Sequence, residues 1–170
     1  MGYLPTLLFV ALVGGGQEEP GWRGFALPRL QERMSPFRAT LVVGLLWAFW
    51  HLPILLTSEN PDHGLSPAAF LGVVLVLVCG IAVGYATALT YLWNRTASIV
   101  PCILLHASFN TANGMAGLQT EADLVKDAYA TITVCLTATL VMLMMLLAYR
   151  TRGRIGLDEG RGQSTTTPSA

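Results

Sequence analysis

Charge is scarce in this sequence. Only 12% of its 170 residues are charged, against 53% hydrophobic, whereas soluble domains carry about 25% charge. The ten basic and ten acidic residues cancel. No long-range field therefore points to a polyanionic partner, and nucleic acid is set aside as one. The few charges are also bunched, with none in residues 1–17, 39–58, 64–94, 96–120 and 128–149. A soluble domain of this size could not bury so much apolar surface. That excludes a disordered chain and most soluble enzymes, and leaves an integral membrane protein with several helices.

Other absences narrow the field further. The three cysteines, Cys79, Cys102 and Cys135, are odd in number and fit no metal or redox spacing. They read as small buried hydrophobes. The first apolar run lacks the basic lead-in and the clear cleavage site of a signal peptide, so it reads as a membrane helix. No stretch alternates apolar and polar residues over about ten positions, which argues against a β-barrel. Internal repeats and a His-Glu-x-x-His motif are absent too.

What is present is five apolar segments close to the roughly 20 residues a spanning helix needs. They run from about Tyr3 into Gly14-Gly15-Gly16, then over 39–56, 68–93, 97–117 and 128–149. The expected fold is all-α: a polytopic transmembrane bundle of about five helices plus an amphipathic interfacial stretch. It covers residues 1–150 and precedes a flexible cytoplasmic tail over 151–170. The arginines agree with five crossings. Arg23, Arg29, Arg33, Arg38, Arg95, Arg150, Arg152, Arg154 and Arg161 fall on one side, and only Lys126 falls opposite. Basic loops stay cytoplasmic, which puts the carboxyl end there. The other side receives Glu59, Asp62, Glu121, Asp123 and Asp127.

In such a chain the informative residues are the polar ones in or beside apolar helices. Glu18 and Glu19 are adjacent, with Arg23 following. Glu19 and Arg23 have the i, i+4 spacing of a helical ion pair. Glu18 is left about 100° round the helix without a local cation, as either an interfacial charge or a general base for water. His51 shares a face with Trp47, and Pro53 then removes a backbone donor. His106 and Asn110 lie one turn apart, as interhelical glue or as oxyanion donors. Together these groups read as one site for amide hydrolysis, with a substrate that arrives through the membrane or along its surface. For them to meet, the first helix must continue past Glu18 through Phe25 towards Leu30, with Pro20 inside or kinking it. His51 lies roughly 20 Å along a helix from Arg38.

EEPGWRGFALPRL (Glu18–Leu30), WAFWHLP (Trp47–Pro53) and HASFN (His106–Asn110) occur in that order on successive expected helices. They resemble the CPBP family of CAAX prenyl endopeptidases and bacteriocin-processing, Abi-type proteins. The resemblance spans roughly residues 10–115, with Trp47 where phenylalanine is often found. It implies an intramembrane endopeptidase in which Glu18 activates water and Glu19 and Arg23 support it. His51 would help hold the water, and His106 and Asn110 would stabilise the oxyanion. The implied partners are a peptide or protein substrate and membrane lipids, in a multi-pass protein of a prokaryotic plasma membrane. A prenylated tail is the eukaryotic precedent for the substrate. Metal-free chemistry is favoured, although Glu18, His51 and His106 could supply three zinc ligands. Relatives commonly carry an additional amino-terminal part, so the chain reads as a fragment or a shortened member. His63 matches no motif and reads as a loop residue. Two other readings stand beside this one: a non-catalytic immunity or scaffold protein of the same fold, and a transporter subunit relaying protons through Glu18 and the histidines.

Overall fold

The computed structural model describes residues 2–57, 71–117 apart from 73, 76, 77 and 79, and 139–157. Their regular structure is helical, and no strand occurs among the described residues. Helix α1 (Tyr3–Val13) stops at Gly14. Its last carbonyls are satisfied locally, because the Gly14 N–H donates to Val10 O at 3.0 Å and the Gln17 side-chain amide donates to Leu12 O, as a helix end requires.

Beyond Gly14 the chain follows a helical path of changing pitch. A tight 3₁₀ turn (Gly15–Glu18) leads into α2 (Glu19–Gly21), a wide π turn (Trp22–Ala26) and α3 (Leu27–Gln31). The prolines account for part of this. Pro20 and Pro28 sit in the first turns of α2 and α3, where a missing N–H is tolerated. Pro28 has no N–H to offer the carbonyl four residues back, and the Leu27 N–H reaches Trp22 O, five back. The expected continuation through Leu30 is therefore present, but it is separated from α1 by the break at Gly14.

Helix α4 (Pro36–Thr57) follows, with Pro53 inside it. A second π turn (Gly80–Tyr85) runs into α5 (Ala86–Thr96), which ends at Ala97 in the left-handed region. Then come α6 (Val100–Gly117) and a helical stretch over residues 139–150. Helix α1 and the 3₁₀ turn pack on α6, α4 packs on the second π turn and α5, and α3 packs on α4. Two apolar clusters result. One holds Trp47, Tyr85, Leu89 and Cys102, the other Leu27, Ala39 and Val43, and Trp22 and Trp93 touch both.

Residues 151–157 lie at the start of the expected tail, yet they pack back onto the helices. Gly153 and Gly156 take positive φ (76° and 81°), which glycine adopts without strain. Between them Ile155 is fully buried. Its carbonyl accepts from Asn94 Nδ2 at 2.7 Å, and the Gly153 carbonyl accepts from the Phe37 N–H at 3.1 Å. This arm therefore joins the start of α4 to the end of α5. Arg95, Arg150 and Arg154 line one hollow beside the arm, and Arg38 and Arg152 line another.

Among the described residues, no helix is long and apolar enough to cross a membrane. The expected spans over 68–93 and 128–149 lie partly outside the described residues. So do the rest of the tail (158–170), His63, Cys79, Cys135 and Lys126. Apolar side chains nonetheless face outward. Helix α1 buries none of its residues, and Leu4, Phe9 and Leu12 are at least 60% exposed.

Candidate active site

The adjacent glutamates have opposite environments. Glu19 is fully buried, and its Oε1 accepts from Arg23 Nη1 at 3.1 Å and from His106 Nδ1 at 2.7 Å. Arg23 is equally buried. One carboxylate oxygen thus ties the helical path after Gly14 to α6. A buried charge persists where it is paired and hydrogen-bonded. Glu18, half-buried, turns the other way, and its Oε2 accepts the Trp47 indole N–H at 2.6 Å.

Trp47 stands at the centre of the cluster. Its ring stacks on Tyr85 at 5.5 Å, meets the His106 ring edge-on at 5.1 Å and the His51 ring edge-on at 5.6 Å, and carries the Arg23 guanidinium over its face at 4.5 Å. Edge-on aromatic pairs and a cation over an indole are favourable geometries. The Trp47 carbonyl lies 2.8 Å from His51 Nδ1. With Nδ1–H of each imidazole donating, to Trp47 O or to Glu19, the Nε2 atoms are left for other partners. Tyr85 is itself anchored, its hydroxyl donating to Leu105 O at 3.0 Å.

Asn110 is exposed, one turn beyond His106 on α6. Gly15 shows how closely the chain approaches both. A Cβ at Gly15 would lie 2.7 Å from His106 Nε2 and would collide with Asn110 Nδ2. The 3₁₀ turn before Glu18 therefore passes against the polar face of α6. Cα–H₂ is all that fits there.

Glu18, Glu19, Arg23, His51 and His106 are thus joined through direct bonds or through Trp47, and Asn110 is joined through the Gly15 turn. Among the described residues, no three His, Cys, Asp or Glu side chains form a group that could hold a metal ion. Glu18, His51 and His106 each meet the Trp47 indole. The sequence marks Trp47 as the aromatic one turn before His51 but does not show its bond to Glu18, and it singles out neither Tyr85 nor a contact at Gly15. An aromatic at Trp47 says nothing of where its N–H points, and the second of three glycines reads only as part of the end of an apolar run. The Trp47-to-His51 spacing was the available signal.

The profile of the family described as Type II CAAX prenyl endopeptidase Rce1-like matches residues 1–112. This chain belongs to that family. All three motifs fall within the residues matched. The chain is also similar to a protein named CAAX prenyl protease 2 from Methanococcus maripaludis, with 27% identity over 124 residues. That match covers 71% of this chain and 44% of the relative, so the chain spans less than two thirds of the relative's length. No solved structure matches it.

Proposed function

We propose that this chain forms the catalytic core of an intramembrane endopeptidase of the CAAX-processing type, and that it hydrolyses its peptide bond with water activated by Glu18. The observation that carries this reading is the split between the two glutamates. Glu19 is buried with Arg23 and His106, while Glu18 is half-buried and accepts only the indole N–H among the described residues. The first arrangement supports and the second can react.

Glu18 takes a proton from water as the water oxygen bonds to the carbonyl carbon of the substrate. His51 Nε2, with Nδ1 committed to Trp47 O, accepts from that water. The carbonyl oxygen becomes an oxyanion beside Asn110 Nδ2 and His106 Nε2. The His106 nitrogen donates there when the ring carries its second proton, with Glu19 at 2.7 Å balancing the charge. The C–N bond then breaks, and the proton on Glu18 passes to the departing amine. No step in this scheme requires a metal.

The apolar outer faces support a multi-pass protein in the membrane. The arginines beside the arm support a cytoplasmic carboxyl end, following the positive-inside bias. The substrate class is a peptide or protein that reaches the site from the membrane or its cytoplasmic surface, in keeping with the family and with the name of the archaeal relative. The test is cleavage in liposomes of a farnesylated peptide ending in a CAAX sequence, by wild type and by Glu18→Ala, His51→Ala and His106→Ala. Wild type is expected to cleave and each variant to fall by at least about 100-fold. Equal turnover by wild type and Glu18→Ala would remove the proposed base.

A further inference from the structure

We propose that Trp47 is a positioning residue of this site, whose indole N–H fixes the Glu18 carboxylate while its own carbonyl fixes the His51 ring. The inference deepens the protease reading and rests on it. Both bonds are direct, at 2.6 Å to Glu18 Oε2 and 2.8 Å to His51 Nδ1. The indole cannot readily swing away, because Trp47 is 2% exposed and its ring is packed by Tyr85, Arg23, His51 and His106. The direction of the N–H is therefore set by the core.

A half-buried carboxylate does not need an indole for satisfaction, since water reaches it. The effect of the bond is to select one orientation for Glu18. Oε2 is engaged, and Oε1 accepts no hydrogen bond among the described residues, which leaves it open to a water. A charge-assisted bond of this length is of the stronger kind. The carbonyl of the same residue turns His51 so that Nε2 is its available nitrogen. One residue of α4 thus aligns the base and the imidazole meant to share a water. A phenylalanine here would fill much of the same volume but offer no N–H.

The test uses the full chain in two measurements. In the first, Trp47→Phe is assayed on the farnesylated peptide in liposomes. Its kcat is expected to fall about 10- to 100-fold, the range for losing a hydrogen bond to a charged group, while KM stays near wild type and the thermal midpoint falls by no more than the lost bond and the trimmed buried volume account for. In the second, the protein is labelled with ¹⁵N at its four indoles and observed in detergent micelles. The Trp47 resonance is identified by its loss in Trp47→Phe. It is expected to lie downfield in wild type and to move upfield in Glu18→Ala. A Trp47→Phe protein with wild-type kcat, or a Trp47 resonance unmoved by Glu18→Ala, overturns the proposal. If wild type cleaves nothing, the protease reading fails on its own, and the resonance still decides whether Trp47 holds Glu18.

Discussion

Glu19 and His106 are 87 positions apart in the chain, and their side chains meet at 2.7 Å in the interior. The same carboxylate oxygen holds Arg23 at 3.1 Å, with both ion-pair partners fully buried. Replacing Glu19 by alanine strands a buried guanidinium. The expected cost is about 3–5 kcal/mol of stability, read as a lowered thermal midpoint in micelles. The double variant Glu19→Leu/Arg23→Met is expected to recover most of it, because removing both partners leaves no orphaned charge. Equal midpoints for Glu19→Ala and wild type would contradict this.

The neighbouring position is expected to behave differently. Glu18→Ala removes one hydrogen bond at a half-buried site and should cost about 1 kcal/mol of stability. It should abolish nearly all turnover. Glu18 thus bears on turnover with little effect on stability, whereas Glu19, which also balances the charge on His106, bears on both; measuring both quantities for both alanine variants checks the difference.

Gly15→Ala places a methyl group against His106 Nε2 and Asn110 Nδ2. The neighbours must shift, and a displacement of about 1 Å in an active site can cost on the order of 100-fold in rate. Gly21→Ala is the control, since a Cβ there meets nothing within 4 Å and its backbone is α-helical. That variant should keep full activity and gain about 0.4–1 kcal/mol.

Asn94→Ala removes the donor to the Ile155 carbonyl, a bond of 2.7 Å in a buried setting. The arm over residues 151–157 should then open more often, since local opening tracks the stability of the segment. Limited trypsin digestion is expected to cut faster after Arg152 and Arg154 than in wild type, with activity retained. An unchanged digestion rate would show that the carbonyl is not what closes the arm.

Chelation separates the proposed chemistry from a zinc mechanism. Incubation with 1,10-phenanthroline, followed by dialysis, is expected to leave peptide cleavage intact. Loss of cleavage with recovery on adding Zn²⁺ would assign a metal to the site.

Some of this was legible from residue spacing alone. The i, i+4 relation of Glu19 and Arg23 foretold their pairing, and it left Glu18 facing elsewhere. Spacing also put His106 and Asn110 on one face of α6. It could not say that His106 would turn its Nδ1 towards Glu19, because that contact depends on how two distant helices pack. Spacing put Trp47 on the His51 face, but only the fold shows that its N–H points at Glu18. The tail boundary at 151 followed the glycines and arginines. The structure uses those glycines for left-handed turns that carry Ile155 into the interior.

The π turn over Trp22–Ala26 has a further consequence. A π turn carries one more residue per hydrogen-bonded loop than a regular helix, so the segment behaves as though a single amino acid had been spliced into it. Deleting Gly24 would let the helix regularise with every later side chain still on its present face, whereas straightening the turn with no residue removed would rotate each of them by about 100°. In that second case Leu27 would swing out of its cluster while Glu18 and Glu19, upstream, stayed where they are. The surplus residue is in effect a phase adjuster between the reactive half of this segment and the half that anchors it.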